Sequence, residues 1–371
     1  MTAHRLLCAL ALPALLSLTA PAPVQAAAGL KAVTVARGLV NPWSMAFLPD
    51  GRLLVTERPG RLRLVAADGK LSDPIGGLPP IAAGGQCGLL DMLLDPQFKD
   101  NGVLYLSFAE AGEGGNSTAV ARARLAGNQL VDLKVIFSQQ PKVNSSHHCG
   151  SRLVLDRGGR LFVTLGDRFS RKDDAQVGGN HLGKIVRIET DGRVPADNPF
   201  VGKPEVRPEI WSLGHRNVQG AALHPGTGEL WASEHGPQGG DEINRVRGGL
   251  NYGWPVVTQG RNYGTGTRIG EDGPKAGFEP ALKTWVPTSI APSGMAFLTS
   301  DRYPGWKGSL FIGALRGESL VRLTLDGDRV VGEERVLTTL TTRVRDVRQG
   351  PDGWLYLLTD NADGRVIRVE R

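Results

Sequence analysis

Cysteine, methionine and tyrosine are scarce in this chain, at three, four and five of 371 residues. Cys8, Cys87 and Cys149 are too far apart for a CxxC or for the CxxCH of covalent haem attachment, and no Cys/His spacing of a zinc site occurs. No apolar run reaches the ~20 residues needed to span a bilayer. Charge of one sign never collects into blocks. The 43 basic and 37 acidic residues are interspersed, leaving +6, and no basic run with interleaved aromatics marks a nucleic-acid face. There is no GxSxG elbow, and HLGKIV at 181–186 lacks the glycine-rich loop of a P-loop. Helical amphipathic periodicity of useful length is missing too.

The N-terminal residues read as a secretory leader. His4 and Arg5 precede an apolar run from Leu6 to Ala20, broken by Pro13, and Val24-Gln25-Ala26 gives a small-x-small cleavage pattern. We expect a signal peptide over 1–26, a single domain over 27–371, and a periplasmic or secreted protein. Export permits a disulfide between Cys87 and Cys149, and two buried thiols remain the alternative.

Glycine is plentiful, 50 residues spread along the chain, and it punctuates a phrase that returns six times. The phrase is a short apolar strand, a Pro/Asp/Gly turn and a second apolar strand: MAFLPDGRLLVTE (45–57), DMLLDPQFKDNGVLYLSF (91–108), RLVLDRGGRLFVTLGD (152–167), GAALHPGTGELWASE (220–234), GMAFLTSDRYPGWKGSLFIGAL (294–315) and DVRQGPDGWLYLLTD (346–360). Radial repetition of such a hairpin predicts an all-β, six-bladed β-propeller, with a β-sandwich as the alternative. The segment KAVTVARGL is placed to complete the last blade and remove a sheet edge. Longer loops, 167–212 and 255–290, should gather on one face.

Polar residues cluster where blades begin. Gln86 precedes the second phrase, His147 and His148 the third, and Arg216 and Asn217 the fourth; Arg343 and Arg345 alternate into the sixth, which puts both guanidinium groups on one side. In a propeller such positions converge on the axis, so three arginines and a neutral base would share one pocket with Gln86. Backbones converging there would also bring Cys87 and Cys149 within bridging range, unless their side chains point to opposite sides of their strands. Between Ser212 and Trp254 lie SLGHRN, SEHGPQGGDEIN and NYGWP. This array offers Arg forks for carboxylates and carbonyl and carboxylate oxygens for a hard cation such as Ca²⁺.

The motifs GQCGLLD, HHCGSRL, GHRNVQG, SEHGPQGGDEIN, NYGWP and RVRD resemble those of the soluble quinoprotein glucose dehydrogenases, and more closely the shorter bacterial aldose sugar dehydrogenases. The resemblance covers essentially the whole chain after the leader. It implies a pyrroloquinoline quinone (PQQ) cofactor, Ca²⁺, an aldose substrate oxidised at the anomeric carbon to an aldonolactone, and an external electron acceptor. It implies His148 as general base, Gln86 facing substrate and cofactor, and Arg216 and Asn217 on the quinone oxygens. Gly236 and Pro237 would hold the cofactor Ca²⁺ by their carbonyls, Glu242 and the Tyr252 main chain a structural Ca²⁺, and Tyr263 would lie near the cofactor. Arg343 and Arg345 would clamp its carboxylates together with Arg316, which stands where the glucose dehydrogenases have Lys. His147 stands where they have Asp, so a carboxylate that orients His148 has to come from elsewhere. A Ca²⁺-dependent propeller lactonase and a non-catalytic sugar-binding propeller are the competing readings; monomer and homodimer are both open.

Overall fold

A computed structural model describes residues 29–371, and the expected leader lies outside the described residues. Within the described residues six antiparallel sheets follow one another, five of four strands and one of three. They form the six blades of a β-propeller. Each repeated phrase supplies the first two strands of a blade, and the innermost strands are Pro42–Phe47, Leu89–Leu94, Leu153–Leu155, Val218–Leu223, Pro292–Phe297 and Val344–Gln349. Each packs against the next around the ring, and the last meets the first.

The ring closes as expected. Lys31–Leu39 pairs antiparallel with Gly364–Glu370, from Lys31 opposite Glu370 to Leu39 opposite Gly364, and so becomes the outer strand of blade six. Closure leaves that blade with no unpaired outer edge at Gly364–Glu370. Two expected loops are more structured than anticipated. The span 167–212 carries the outer strands of blade three, Lys184–Ile188 and Ile210–Leu213, and 255–290 carries the outer strand of blade four, Lys283–Trp285. These short strands sit between turns, so their period-2 signal is too brief to stand out.

Apolar side chains fill the wedges between blades, for example Leu106, Phe108 and Leu104 against Leu54 and Leu62. The innermost strands are buried over their first residues and open at their far ends into an apolar funnel of about 550 Å³, lined by Phe47, Leu94, Leu155, Leu223 and Phe297. Between this funnel and the entry face lies an ionic plug, buried at Arg152, Asp91 and Asp346 and half-buried at Arg348, which also lines the funnel. Arg152 reaches Asp91 (3.0 Å) and Asp346 (3.1 Å), and Arg348 reaches Asp91 (3.0 Å) and Asp346 (2.9 Å). Two guanidinium groups and two carboxylates balance, which is the condition for keeping charges in an apolar interior. The strands therefore run from a polar entry face, past a neutralised plug, to an apolar exit.

Candidate active site

His148 enters blade three with a left-handed backbone, φ 50°, a conformation rare for non-glycine residues and common at functional sites. Its N–H donates to Gln86 Oε1 of blade two at 2.8 Å, which fixes the two entry loops together. Its Nδ1 lies 2.6 Å from Asp167 Oδ1. Hydrogen bonds hold the Asp167 carboxyl below the ordinary carboxylate range against the opposing effect of burial, so it is ionised and can only accept. Nδ1 therefore carries the proton, and Nε2 is left with its lone pair. Burial first, then Arg216, pushes His148 below its usual value against the pull of Asp167, so the imidazole is neutral near pH 7.

Asp167 is itself over-determined. Trp254 Nε1–H donates to Oδ2 at 2.8 Å, the Phe169 amide donates to Oδ1 at 2.8 Å, and the Asp167 amide donates to the Arg216 carbonyl at 2.9 Å. Gly166 makes this possible, because a Cβ there would stand 2.0 Å from the His148 carbonyl oxygen.

Blade four contributes Arg216 and Asn217. The Arg216 amide donates to Glu234 Oε2 (2.7 Å), and its Nη1 donates to the carbonyls of His235 (3.0 Å) and Gly236 (2.7 Å). Asn217 Oδ1 accepts from the Gly150 amide (3.1 Å) and from Gln219 (3.2 Å). Gln219 Oε1 in turn accepts from Arg345 of blade six at 2.8 Å. Gln86, His148, Arg216, Asn217 and Arg345 are thus linked across four blades, as the entry positions imply.

Arg343 and Arg345 do share a side. Both reach Asp360 Oδ2, at 3.4 and 2.7 Å, and Arg58 lies 3.9 Å from its other oxygen. The neighbouring guanidinium groups, Arg345 foremost, hold the Asp360 carboxyl far below its ordinary range despite its burial. Three cations face one anion, so the group has positive charge to spare.

Several donors here have no partner among the described residues: Arg216 Nε, Asn217 Nδ2 and Arg345 Nε are buried and unbonded. Each such group costs ~1–3 kcal/mol unless a ligand satisfies it. Orphaned donors and surplus positive charge suit a ligand rich in carbonyl and carboxylate oxygens. Glu242 is half-buried beside a cavity of about 260 Å³ that Tyr252 also lines, and burial followed by the Glu234 charge pushes its carboxyl up to about 8. Among the described residues no cluster of three or more His, Cys, Asp or Glu is arranged around a metal position. A cation here would have to rely on carbonyls such as that of Gly236, one lone pair of which already accepts from Arg216. Pro237 is buried in the same turn. Tyr263 is 57 % exposed and Arg316 is exposed; neither side chain is hydrogen-bonded to this network.

Comparison with known proteins agrees with this architecture. The glucose/sorbosone dehydrogenase family model matches residues 39–368. The chain belongs to that family. It is 44% identical over 337 residues to the aldose sugar dehydrogenase YliI of Escherichia coli, covering 89% of this chain and 90% of that one. A crystal structure of a glucose dehydrogenase superposes with a TM-score of 0.89 at 49% identity, over 92% of this chain and 99% of the other. The PQQ-bound aldose sugar dehydrogenase of Streptomyces coelicolor superposes with a TM-score of 0.77 at 29% identity, over 92% and 98% of the two chains.

Within this family member, sequence reasoning missed Asp167, Trp254, Gln219, Asp360 and Arg58. A signal for the carboxylates was present. Four of the six phrases end in an acid, at Glu57, Asp167, Glu234 and Asp360, where the second strand returns to the entry face. All four hold an entry residue of their own blade, namely the Val40 amide, His148, His215-Arg216 and Arg345. The two cysteines are joined in a disulfide with a Cα–Cα separation of 5.8 Å, tying blades two and three beside Gln86 and His148.

Proposed function

We propose that this protein is an exported PQQ- and Ca²⁺-dependent dehydrogenase. It oxidises aldoses at the anomeric carbon to aldonolactones and passes the electrons to an external acceptor, with residues 1–26 serving as a leader removed on export. The observation that carries the reading is the junction of a neutral, carboxylate-held His148 with unpartnered Arg and Asn donors. A sugar alone needs no such surplus of cationic donors; a polycarboxylate cofactor does.

PQQ, when bound, supplies a two-electron acceptor for the hydride leaving the sugar carbon. His148 Nε2 takes the proton of the anomeric hydroxyl, and Asp167 stabilises the imidazolium that results. Arg216, its amide pinned by Glu234, keeps its guanidinium set for negative charge on a ligand oxygen, and charge placed in advance costs no reorganisation during the reaction. Asn217 Nδ2 offers a second donor. Arg343 and Arg345, with Arg58 alongside, hold carboxylates. The Gly236 and Pro237 carbonyls would hold Ca²⁺ beside the cofactor, and Glu242 with the Tyr252 main chain a second ion.

The test is spectroscopic. Purified protein is given Ca²⁺ and PQQ, then glucose or another aldose, and the oxidised quinone absorbance should bleach to that of the reduced form. Lactone hydrolysis without PQQ, and no bleaching with any aldose, would replace this reading with the lactonase.

A further inference from the structure

Phe169 combines three features that the chemistry above leaves unexplained. Its side chain is 52 % exposed, although it lies in the wall of the site. Its ring stands beside the base, with centroids 5.3 Å apart and planes at 78° to His148, and 5.5 Å from exposed His147. It is also held there against backbone preference, since Arg168 and Phe169 are consecutive left-handed residues at φ 59° and 69°. Non-glycine residues adopt that conformation in succession only where the surroundings impose it.

The surroundings do impose it. Arg168 is fully buried, and its guanidinium is anchored on three sides. Nη1 lies against both sulfurs of the Cys87–Cys149 bridge, and Nη2 donates to Asn116 Oδ1 (2.6 Å) and to the Ser145 carbonyl. On the other side of the turn, the Phe169 amide donates to the carboxylate that orients His148 (2.8 Å). The turn is bolted to blade two from beneath and to the base from beside. What it presents to solvent is an aromatic ring.

We propose that Phe169 is the platform on which the apolar C–H face of a pyranose rests while its anomeric hydroxyl meets His148. The proposal rests on the dehydrogenase reading and adds the residue that recognises the sugar ring. A pyranose with equatorial hydroxyls displays axial C–H groups on its faces. The negative face of an aromatic ring attracts such polarised hydrogens, and the contact removes apolar area from water. The guanidinium donors and Gln86 serve oxygens; Phe169 is the exposed apolar surface beside the base.

The experiment has two arms, both on protein loaded with Ca²⁺ and PQQ. In the first, 1,5-anhydro-D-glucitol, a pyranose without the anomeric hydroxyl, is titrated by calorimetry, so that binding is read without turnover. In the second, glucose oxidation is followed as a function of concentration and pH. For Phe169→Ala, Kd and KM should each rise on the order of tenfold, equivalent to ~1.4 kcal/mol. Its kcat should stay within about threefold, with the acid limb of the pH profile unmoved. Phe169→Trp, which keeps an aromatic face, should restore both constants. Unchanged Kd and KM would overturn the proposal. So would a fall in kcat with a displaced pH profile and unchanged Kd, because the ring would then merely brace His148. Wild-type protein that binds the glucitol but bleaches PQQ with no aldose would count against the dehydrogenase reading alone.

Discussion

Replacing Asp167 by Asn removes one charge and almost no volume, and the structure makes the consequence unusually specific. Three donors converge on the carboxylate: His148 Nδ1–H, the Phe169 amide and the Trp254 indole. An amide has one acceptor oxygen, so its NH₂ must face at least one of them. If it faces the imidazole, the proton is driven to Nε2 and the base is lost outright. If the oxygen faces the imidazole, the tautomer survives, but the imidazolium formed in the reaction loses its counter-charge. A hydrogen bond to a charged group contributes ~1.5–3 kcal/mol, and a unit charge pair at ~4 Å with an effective dielectric near 20 contributes ~4 kcal/mol. Taking ~3 kcal/mol and 1.36 kcal/mol per decade, kcat should fall about 10²-fold. The pH profile supplies an independent check. The base works when neutral, so the rate falls as pH drops through its pKa, and burial and Arg216 place that limb below the ordinary ~6.5. Asp167 is what pulls the value back up, so Asp167→Asn should move the acid limb to still lower pH. Steady-state sugar oxidation with an artificial acceptor across pH 4–8, on protein saturated with Ca²⁺ and PQQ, reads both. A kcat within about threefold of wild type, or an acid limb displaced upward, would refute the assignment.

Four further outcomes are expected. His148→Ala should nearly abolish turnover while PQQ still titrates normally, and His147→Ala, at an exposed residue outside the Asp167 pair, should do much less; the reverse order in kcat would place the base one residue earlier. Arg345→Ala should weaken PQQ binding by on the order of 10²-fold in a fluorescence titration, since it strips a buried clamp of its main cation, and half-buried Arg58→Ala should cost roughly tenfold. Chelation should abolish sugar oxidation until Ca²⁺ and PQQ are both restored, and Glu242→Gln should raise the Ca²⁺ concentration needed for reactivation. Cys87→Ser/Cys149→Ser should lower the melting temperature clearly, because a bridge spanning 62 residues of sequence is worth about 4 kcal/mol in the chain-entropy account.

The fold was legible because its unit is local. Asp/Gly turns between two short apolar runs mark hairpins without reference to the rest of the chain, and the regular return of the same hairpin favours a ring over a sandwich. The outer strands were harder to read. Lys283–Trp285 is three residues long, and only its register opposite Asp241–Ile243 makes it a strand. The same division runs through the site. Gln86, His148, Arg216 and Arg345 could be picked out because each occupies the same place, just before or at the start of an innermost strand. Asp167 and Asp360 lie where second strands return, and their partners are chosen by how the returning chain meets the entry loop. Arg58 comes from the blade next to the clamp, and no spacing in the sequence records that adjacency. His147 and His148 could not be ranked by sequence chemistry alone; the fold separates them by turning one outward and setting the other on a carboxylate.

The seam between Lys31–Leu39 and Gly364–Glu370 joins segments that are separated along the chain by every other strand of the ring. Pairings over so great a contour length carry a large loop-closure cost and are intrinsically slow to form. Blade six has its full set of four strands only when this seam is made, and Arg345 of blade six and His148 of blade three share one network only in the closed ring. Assembly is consequently an on–off event for this site: an unclosed string has the residues but not their meeting point. A ligand gripped by Arg345 on one side and Arg216 on the other would act as a rivet across the gap, favouring closure in proportion to how tightly it is held.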